Sequence, residues 1–260
     1  METGASFGGL SLESYHLNPN ERINEAASRS WNRLTNAWQS FENASEKLPS
    51  KDIGTTVTRE RWLLIRISHF VNDTVVLGVN FDSRTSEGVF CSATRHDLKE
   101  KLARIIDGKT GIKKLTRARV VFIKTGQSYD ALNEIYVGSD KPYRISKYIF
   151  KSGKVKEEQK SSGIIVAAGA GSTAWYGSVV KENFDPGMKE LRFVIREPYC
   201  GKVTKCNLIN AKLGKDEKLY IKSKMVNGVV AADSMIEAPL GNEEEAEIGI
   251  SPEPFKLILF

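Results

Sequence analysis

The sequence lacks the features that mark membrane, secreted and metal-binding proteins. No apolar run approaches the roughly 20 residues that a membrane-spanning helix needs. The opening METGASFGG has neither the basic nor the apolar region of a signal peptide. Three cysteines without a CxxC spacing favour reduced thiols, and three scattered histidines give no metal-ligand pattern. We therefore expect a cytoplasmic protein with no membrane partner and no protein-held metal site.

The 260-residue chain carries a net charge of +6, and its cations cluster in two stretches, 95–119 and 141–160. A solvated surface is the ordinary explanation for such runs. Attraction of a phosphorylated small ligand is an alternative, and nucleic acid is a weaker one. No aromatic-interleaved basic strand accompanies the clusters, so a nucleic-acid partner is the least supported of the three.

Apolar periodicity in the first part of the chain is mainly helical. Residues 1–18 predict a loose N-terminus. Apolar residues from Ile23 to Phe41 recur at three- and four-residue steps, which predicts a long amphipathic helix bearing Trp31 and Trp38. A strand at 52–57, a helix at 62–71, a buried parallel strand at 74–79 and a helix at 96–106 ending at Gly108 follow. We assign residues 19–116 to an α/β nucleotide-binding domain.

The period becomes strand-like after Arg117. This second half, 117–260, is predicted to be a β-rich domain, with the C-terminal strand as a candidate to return to the first domain. The two domains would leave a cleft between them. The predicted strands are 119–124, 143–150, 163–168, 191–196, 218–222, 225–231 and 255–260.

One stretch, SSGIIVAAGAGSTAWYGS at 161–178, joins a buried strand, a glycine turn and a helix start. Gly169 and Gly171 allow a close backbone approach, and Ser172 and Thr173 are good helix N-caps. The N–H groups at such a turn are suited to phosphate. A small-residue turn that only lets the helix pack on the strand is an equal alternative.

Five strings in order along the chain resemble the NAD kinases, most closely their mitochondrial and NAD-kinase-like branch. ALNE and GSTAW are the most specific parts of the match. The strings are VLGVNFDSRTSEGVFC (76–91), ALNEIYVGS (131–139), EEQKSSGIIVAAGAGSTAW (157–175), FVIREP (193–198) and VNGVVAADS with the final FKLILF.

This resemblance implies transfer of the γ-phosphate of ATP, with Mg²⁺ or another divalent cation, to the 2′-hydroxyl of the adenosine ribose of NAD. It implies a truncated Rossmann-like α/β nucleotide domain followed by a twisted antiparallel β-sandwich. It also implies a homodimer or homotetramer, because in the family a neighbouring subunit often completes the dinucleotide pocket. A mitochondrial-type relative would make an organellar location an alternative to the cytoplasm.

The resemblance also assigns site residues. Asn133 would bind the adenine edge and Glu134 the ribose hydroxyls, roles that suit an amide and a carboxylate. The remaining substrate-binding residues are Ser162, Thr173, Ala174, Trp175 and Ser178.

The sequence departs from the family at its GGDGT motif, where counting back from Val76 places VTRERW, 57–62. No glycine remains there, and the only carboxylate is Glu60, our candidate catalytic base. Arg59 and Arg61 flank it and would hold its pKa down, or would instead clamp phosphate oxygens together with Gly169, Gly171 and Ser172. Ser162 replaces the aspartate of many relatives, and the βα unit that opens the family's fold is not recognisable.

Three functional hypotheses remain open. The first is an active NAD kinase-like phosphotransferase. The second is a catalytically impaired NAD(P)-binding pseudokinase with a sensing or assembly role. The third is a basic β-rich module that binds nucleic acid or another protein.

Overall fold

We describe a computed structural model of the chain. It describes residues 6–7, 10–11, 61–80, 88–141, 143–202 and 206–260. The predicted helix at 23–41 and the predicted strand at 52–57 lie outside these residues. The helices are α1 (Arg61–Ser68), α2 (Leu98–Ile106) and α3 (Trp175–Val180), and a 3₁₀ helix spans Gly169–Thr173. No helix among the described residues is long and apolar enough to cross a membrane.

The strands in chain order fall mostly after residue 110. They are β1 (Ser6–Phe7), β2 (Leu10–Ser11), β3 (Val75–Val76), β4 (Val79–Asn80), β5 (Ala93–Thr94), β6 (Gly111–Leu115), β7 (Ala118–Phe122), β8 (Ser128–Ala131), β9 (Glu134–Ser139), β10 (Ser146–Ser152), β11 (Val155–Ser161), β12 (Ile164–Ala167), β13 (Leu191–Ile195), β14 (Asn210–Leu213), β15 (Leu219–Ser223), β16 (Gly228–Ala232), β17 (Ile236–Pro239), β18 (Glu245–Ile250) and β19 (Phe255–Leu259).

Two six-stranded antiparallel sheets form a β-sandwich in the second half of the chain. One has the order β11-β10-β15-β18-β7-β8, and the other has the order β14-β13-β12-β9-β16-β17. Alternate residues of both sheets face inward, such as Val120 and Phe150 from the first and Val166 and Phe193 from the second, and they form one buried core. The predicted β-sandwich is therefore confirmed.

The first part of the chain packs against one end of this sandwich. The C-terminal strand β19 pairs in parallel with β3 and antiparallel with β6, so the end of the chain lies in the sheet of the N-terminal part. A separate apolar cluster joins α1 and β19 to the sandwich, and Leu132 and Ala170 belong to it. Both residues neighbour the sequence-predicted site, which therefore lies where the two parts meet.

A fully buried arginine, Arg117, fixes α1 to the sandwich. Its Nη1 donates to the carbonyl oxygens of Ser68 at 2.8 Å and Val71 at 3.3 Å, and its Nε donates to the carbonyl of Glu253 at 2.7 Å. Its Nη2 lies 3.3 Å from Asp130 Oδ2. Burial lowers the pKa of the Arg117 guanidinium, and the nearby carboxylates of Asp130 and Glu253 oppose that shift.

Several details differ from the sequence predictions. The strand predicted at 74–79 is split into β3 and β4, because the carbonyl of Gly78 turns to accept hydrogen bonds from the N–H groups of Ser92 and Ala93. Several strands were missed, including the polar β11, whose sequence VKEEQKS buries only Gln159 and Ser161, and the largely buried β9. Gly108 does end α2, with a φ of 67°.

The cysteine prediction is wrong for one pair. Cys200 and Cys206 form a disulfide, with Cα atoms 5.6 Å apart. The two cysteines lie six positions apart in the loop between β13 and β14, a spacing that the CxxC criterion does not detect. Cys91 is free and half-buried.

Replacing Arg117 with Met should lower the free energy of unfolding by about 2 to 4 kcal/mol, because three carbonyl acceptors and a carboxylate lose a buried donor. The matched control is Lys109→Met, whose ion pair with Asp107 is exposed and should contribute less than about 0.5 kcal/mol. Urea unfolding followed by circular dichroism measures both. A decrease in the free energy of unfolding below about 1 kcal/mol for Arg117→Met would contradict the role of Arg117 in fixing α1 to the sandwich.

Candidate functional site

The predicted site residues converge at one end of the second sheet. In the register of that sheet Ala167 lies opposite Glu134, and Ala232 lies opposite Ile135. This end of the sheet therefore contains the start of β9, the end of β12 and the end of β16, together with the 3₁₀ helix that follows β12. Most of the sequence-predicted binding residues lie on these segments.

Asn133 and the glycine turn are in direct backbone contact. The carbonyl of Asn133 accepts a hydrogen bond from the N–H of Ala168 at 2.8 Å. A Cβ built on Gly171 would lie 2.1 Å from that same carbonyl oxygen, so only glycine allows this approach. A Cβ on Gly169 would similarly meet the carbonyl of Asp185 at 2.3 Å. Both glycines let protein backbone close on protein backbone, and the phosphate role assigned to them stays a prediction.

The predicted N-caps are wrong. The 3₁₀ helix has Ala168 at its N-cap, α3 has Ala174, and neither has a side-chain cap. The hydroxyl of Ser172 is buried and donates to the carbonyl of Phe184 at 3.0 Å, so it anchors the following loop. The chain passes through a 3₁₀ turn before α3 begins, which moves the helix start three residues beyond Ser172.

The Asn133 side chain is buried, with 6% of the residue exposed, and its Oδ1 has no hydrogen-bond partner among the described residues. Glu134 beside it is also buried. A buried amide oxygen without a donor is unfavourable by about 1 to 3 kcal/mol. This atom is therefore suited to accept a hydrogen bond from a bound ligand.

A residue that the sequence reasoning did not select, Asp233, holds this segment in place. Its Oδ2 accepts from the N–H of Leu132 at 2.8 Å, and its Oδ1 accepts from those of Asn133 at 2.7 Å and Glu134 at 3.1 Å. Its own N–H donates to the carbonyl of Glu134 at 2.9 Å. Three N–H groups on one carboxylate form a charge-assisted network that fixes the backbone of 132–134.

Asp233 lies in the turn between β16 and β17 with a φ of 53°, a conformation that aspartate tolerates better than most residues. In the sequence Asp233 follows the strand predicted at 225–231, and aspartate is common in turns. The string VNGVVAADS contains it, but nothing local indicates that its carboxylate reaches a segment 100 residues earlier.

His69 lies on the other side of the same carboxylate. Its Nε2 is 3.0 Å from Asp233 Oδ2, and both side chains are almost fully buried. The contact has the distance of an ion pair, but the ring N–H is not aligned for a hydrogen bond. Because His69 follows α1 directly, the N-terminal part of the chain contributes to the same network.

Trp175 belongs to an aromatic and cationic stack. Its ring stacks on that of Tyr136 with centroids 5.3 Å apart, and the Arg196 guanidinium lies 4.9 Å from the Trp175 ring centroid. The Tyr136 hydroxyl donates to the carbonyl of Ser162 at 3.1 Å, and burial raises the pKa of that phenol. Gly163, with a φ of 107°, leaves room for the Tyr136 ring, which a Cβ there would meet at 2.4 Å.

The structure does not bring all predicted residues together. Ser162 precedes β12 whereas Ala168 follows it, so at about 3.3 Å per residue Ser162 and Asn133 lie roughly 20 Å apart. Thr173 and Ser178 are exposed, and Ala174 and Trp175 are half-buried. Arg59 and Glu60 lie outside the described residues. Arg61 begins α1, and its side chain also lies outside them.

Within the described part of the chain, no group of three His, Cys, Asp or Glu side chains could hold a metal ion. Both oxygens of Asp233 are already occupied by backbone N–H groups. The described residues therefore do not provide a protein ligand set for the divalent cation that the resemblance implies.

The overall fold, a β-sandwich with an α/β part at one end, is that of the NAD kinases. Two solved structures share it: yeast NADH kinase in complex with NADH, and an NAD kinase from Archaeoglobus fulgidus in complex with ATP. The first gives a TM-score of 0.68 at 13% identity over 81% of this chain and 62% of that chain. The second gives 0.65 at 18% identity over 85% and 88%.

Sequence comparison points the same way. The chain is 32% identical over 157 residues to a probable NADH kinase of Oryza sativa subsp. japonica. That match covers 52% of this chain and 48% of the relative, so the match spans about half the length of each. No protein-family model matches the chain. The resemblance to the NAD kinases read from the five strings is confirmed.

Asp233→Asn should lower the free energy of unfolding by about 2 kcal/mol, because an amide NH₂ would face backbone N–H donors in place of one carboxylate oxygen. Asp216→Asn, at an exposed position, is the matched control and should change it by less than about 0.5 kcal/mol. Chemical denaturation measures both variants. Equal stability of the two would contradict the anchoring role of Asp233.

Proposed function

We propose that this chain is an NAD kinase-type phosphotransferase acting on NAD or NADH. A bond forms between the 2′-oxygen of the adenosine ribose and the γ-phosphorus of ATP, the bond from that phosphorus to the β,γ-bridging oxygen breaks, and ADP leaves. The hydroxyl proton passes to a base. The products are NADP or NADPH and ADP. The reduced form is included because two of the similar proteins are named NADH kinases.

The observation that carries this proposal is the buried, unpartnered Oδ1 of Asn133 at the edge where β9, β12 and β16 meet. This oxygen can accept a hydrogen bond from the amino group of adenine. Asp233 fixes the backbone on both sides of Asn133, so the acceptor is preorganised and little order is lost on binding.

The neighbouring residues fit the other parts of a dinucleotide. We assign Glu134 to the ribose hydroxyls and the exposed Thr173, with Ala174, to the adenine-contacting turn that follows Gly171. Trp175, already stacked on Tyr136, would form a wall of the pocket together with Ser178. The hydroxyl of Ser178 donates to the carbonyl of Trp175 at 2.7 Å and stabilises the first turn of α3.

The phosphoryl-transfer half of the site rests on residues 57–62. We assign Glu60 as the base because a carboxylate can accept the hydroxyl proton. We assign Arg59 and Arg61 as phosphate ligands because a guanidinium attracts and hydrogen-bonds phosphate oxygens. A divalent cation would neutralise the phosphates of ATP. The described residues do not supply a set of protein ligands for it.

We infer a homodimer or homotetramer as the functional unit. Ser162 lies roughly 20 Å from Asn133 along β12, by the rise of a strand. This separation supports a pocket in which Ser162 of one subunit serves a neighbouring subunit's dinucleotide.

The second candidate is a dinucleotide-binding protein without phosphoryl transfer. The observation that favours it is VTRERW, which lacks both the glycines and the aspartate of GGDGT. It shares the Asn133 pocket with the kinase proposal, so binding alone does not separate the two.

Turnover separates them. The purified chain, given NAD or NADH with ATP and Mg²⁺, should form NADP or NADPH, detected with an NADP-dependent dehydrogenase. Glu60→Gln should reduce the rate by about 100-fold or more, because general base catalysis typically contributes that much. Heat-inactivated protein is the blank. Dinucleotide binding without turnover would replace the kinase proposal with the second candidate.

Asn133→Ala should weaken NAD binding by about 1 to 3 kcal/mol in calorimetry, because the adenine donor loses its buried acceptor. The unliganded variant should be as stable as the wild type or slightly more stable, since the lost oxygen has no partner there. Asn210→Ala, at an exposed position on edge strand β14, is the control. Wild-type affinity in Asn133→Ala would remove Asn133 from the site.

A further inference from the structure

The carboxylate of Asp233 has partners on two sides. On one side are the three backbone N–H groups of 132–134, all between 2.7 and 3.1 Å. On the other is the His69 ring, with Nε2 at 3.0 Å from Oδ2. The side chain of His69 is 5% exposed and that of Asp233 is 0% exposed, so water does not screen their interaction.

The backbone around His69 is itself fixed. The N–H groups of Phe70 and Val71 donate to the carbonyl of Ile67 and end the last turn of α1. Arg117 donates to the carbonyls of Ser68 and Val71, one on each side of His69. The imidazole therefore extends toward Asp233 from a backbone that is anchored on both sides of His69.

We propose that His69 is a positioning residue for the dinucleotide site. Through Asp233 it sets the orientation of the backbone at Leu132, Asn133 and Glu134, and so the direction in which Asn133 presents its amide. This inference rests on the proposed function only in assigning 132–134 to dinucleotide binding; the effect of His69 on the three N–H groups does not depend on it.

His69 affects the backbone of 132–134 because the partners of Asp233 are divided between its two carboxylate oxygens. Oδ1 has two N–H partners, whereas Oδ2 has the N–H of Leu132 and the imidazole. Without the imidazole, Oδ2 has one partner in a buried setting, and rotation of the carboxylate weakens the hold on Leu132. The contact is not an aligned hydrogen bond, so what His69 supplies is a polar nitrogen group within 3.0 Å of Oδ2, which the amide of a glutamine can also supply.

The test compares His69→Leu, His69→Gln and the exposed control His96→Leu. Calorimetry with NAD and ¹⁵N NMR of the unliganded protein are the two measurements. We expect His69→Leu to bind NAD about 10-fold more weakly, with altered amide resonances and faster hydrogen exchange at 132–134, because a buried carboxylate loses a partner. His69→Gln, which keeps an N–H, should remain within about 3-fold of the wild type, and His96→Leu should equal it.

The outcomes separate this inference from the proposed function. If the wild type does not bind NAD, the proposed function fails, while the amide signals of the unliganded variants still test His69. Unchanged amide resonances and exchange at 132–134 in His69→Leu would overturn the positioning role. An equal loss of NAD affinity in His69→Leu and His69→Gln would also overturn it. If His69→Leu does not fold, the amide signals of His69→Gln carry the test, and large changes there would refute it.

Discussion

The arrangement of the site depends on one buried carboxylate. Residues 132–133 lie between β8 and β9, where the sheet ladder does not satisfy their N–H groups, and buried N–H groups without partners are strongly unfavourable. Asp233 accepts from both of these groups and from Glu134, the first residue of β9. The same interaction satisfies the backbone, fixes the turn and ties β16 to the start of β9. The carboxylate of Asp233 therefore holds the backbone of Asn133 in position.

A second buried charge fixes the two parts of the chain to each other. Arg117 joins the end of α1 to the sandwich through hydrogen bonds to main-chain carbonyls. Carbonyl oxygens can accept hydrogen bonds from a guanidinium, so a carboxylate is not needed opposite each N–H. Asp130 adds a carboxylate that also binds Arg119 in a bidentate pair. Arg117 therefore anchors the residues on both sides of His69, whose ring contacts Asp233.

The sequence predicted the strands of the sandwich better than it predicted the helix caps and the polar edge strand. Strands such as 191–196 and 255–260 were found because runs of large apolar residues reflect burial, and burial is a local consequence of the pattern. Strand β11 was missed because an edge strand can be polar on its exposed face. The Ser172 cap was predicted wrongly because a serine before a helix looks the same whether its hydroxyl caps the helix or binds a loop carbonyl.

What the sequence determined by itself is the strand-rich character of the second half, the turn glycines and the strings that resemble the NAD kinases, all features encoded in nearby residues. Only the tertiary structure decided that Asp233 holds 132–134, that His69 faces it, and that Ser162 lies at the far end of β12 from Asn133. Asp233 and Asn133 are 100 residues apart, and their contact depends on the register of β16 against β9. Such a register is set by the packing of the whole sandwich, because shifting it by one residue would turn every inward side chain outward.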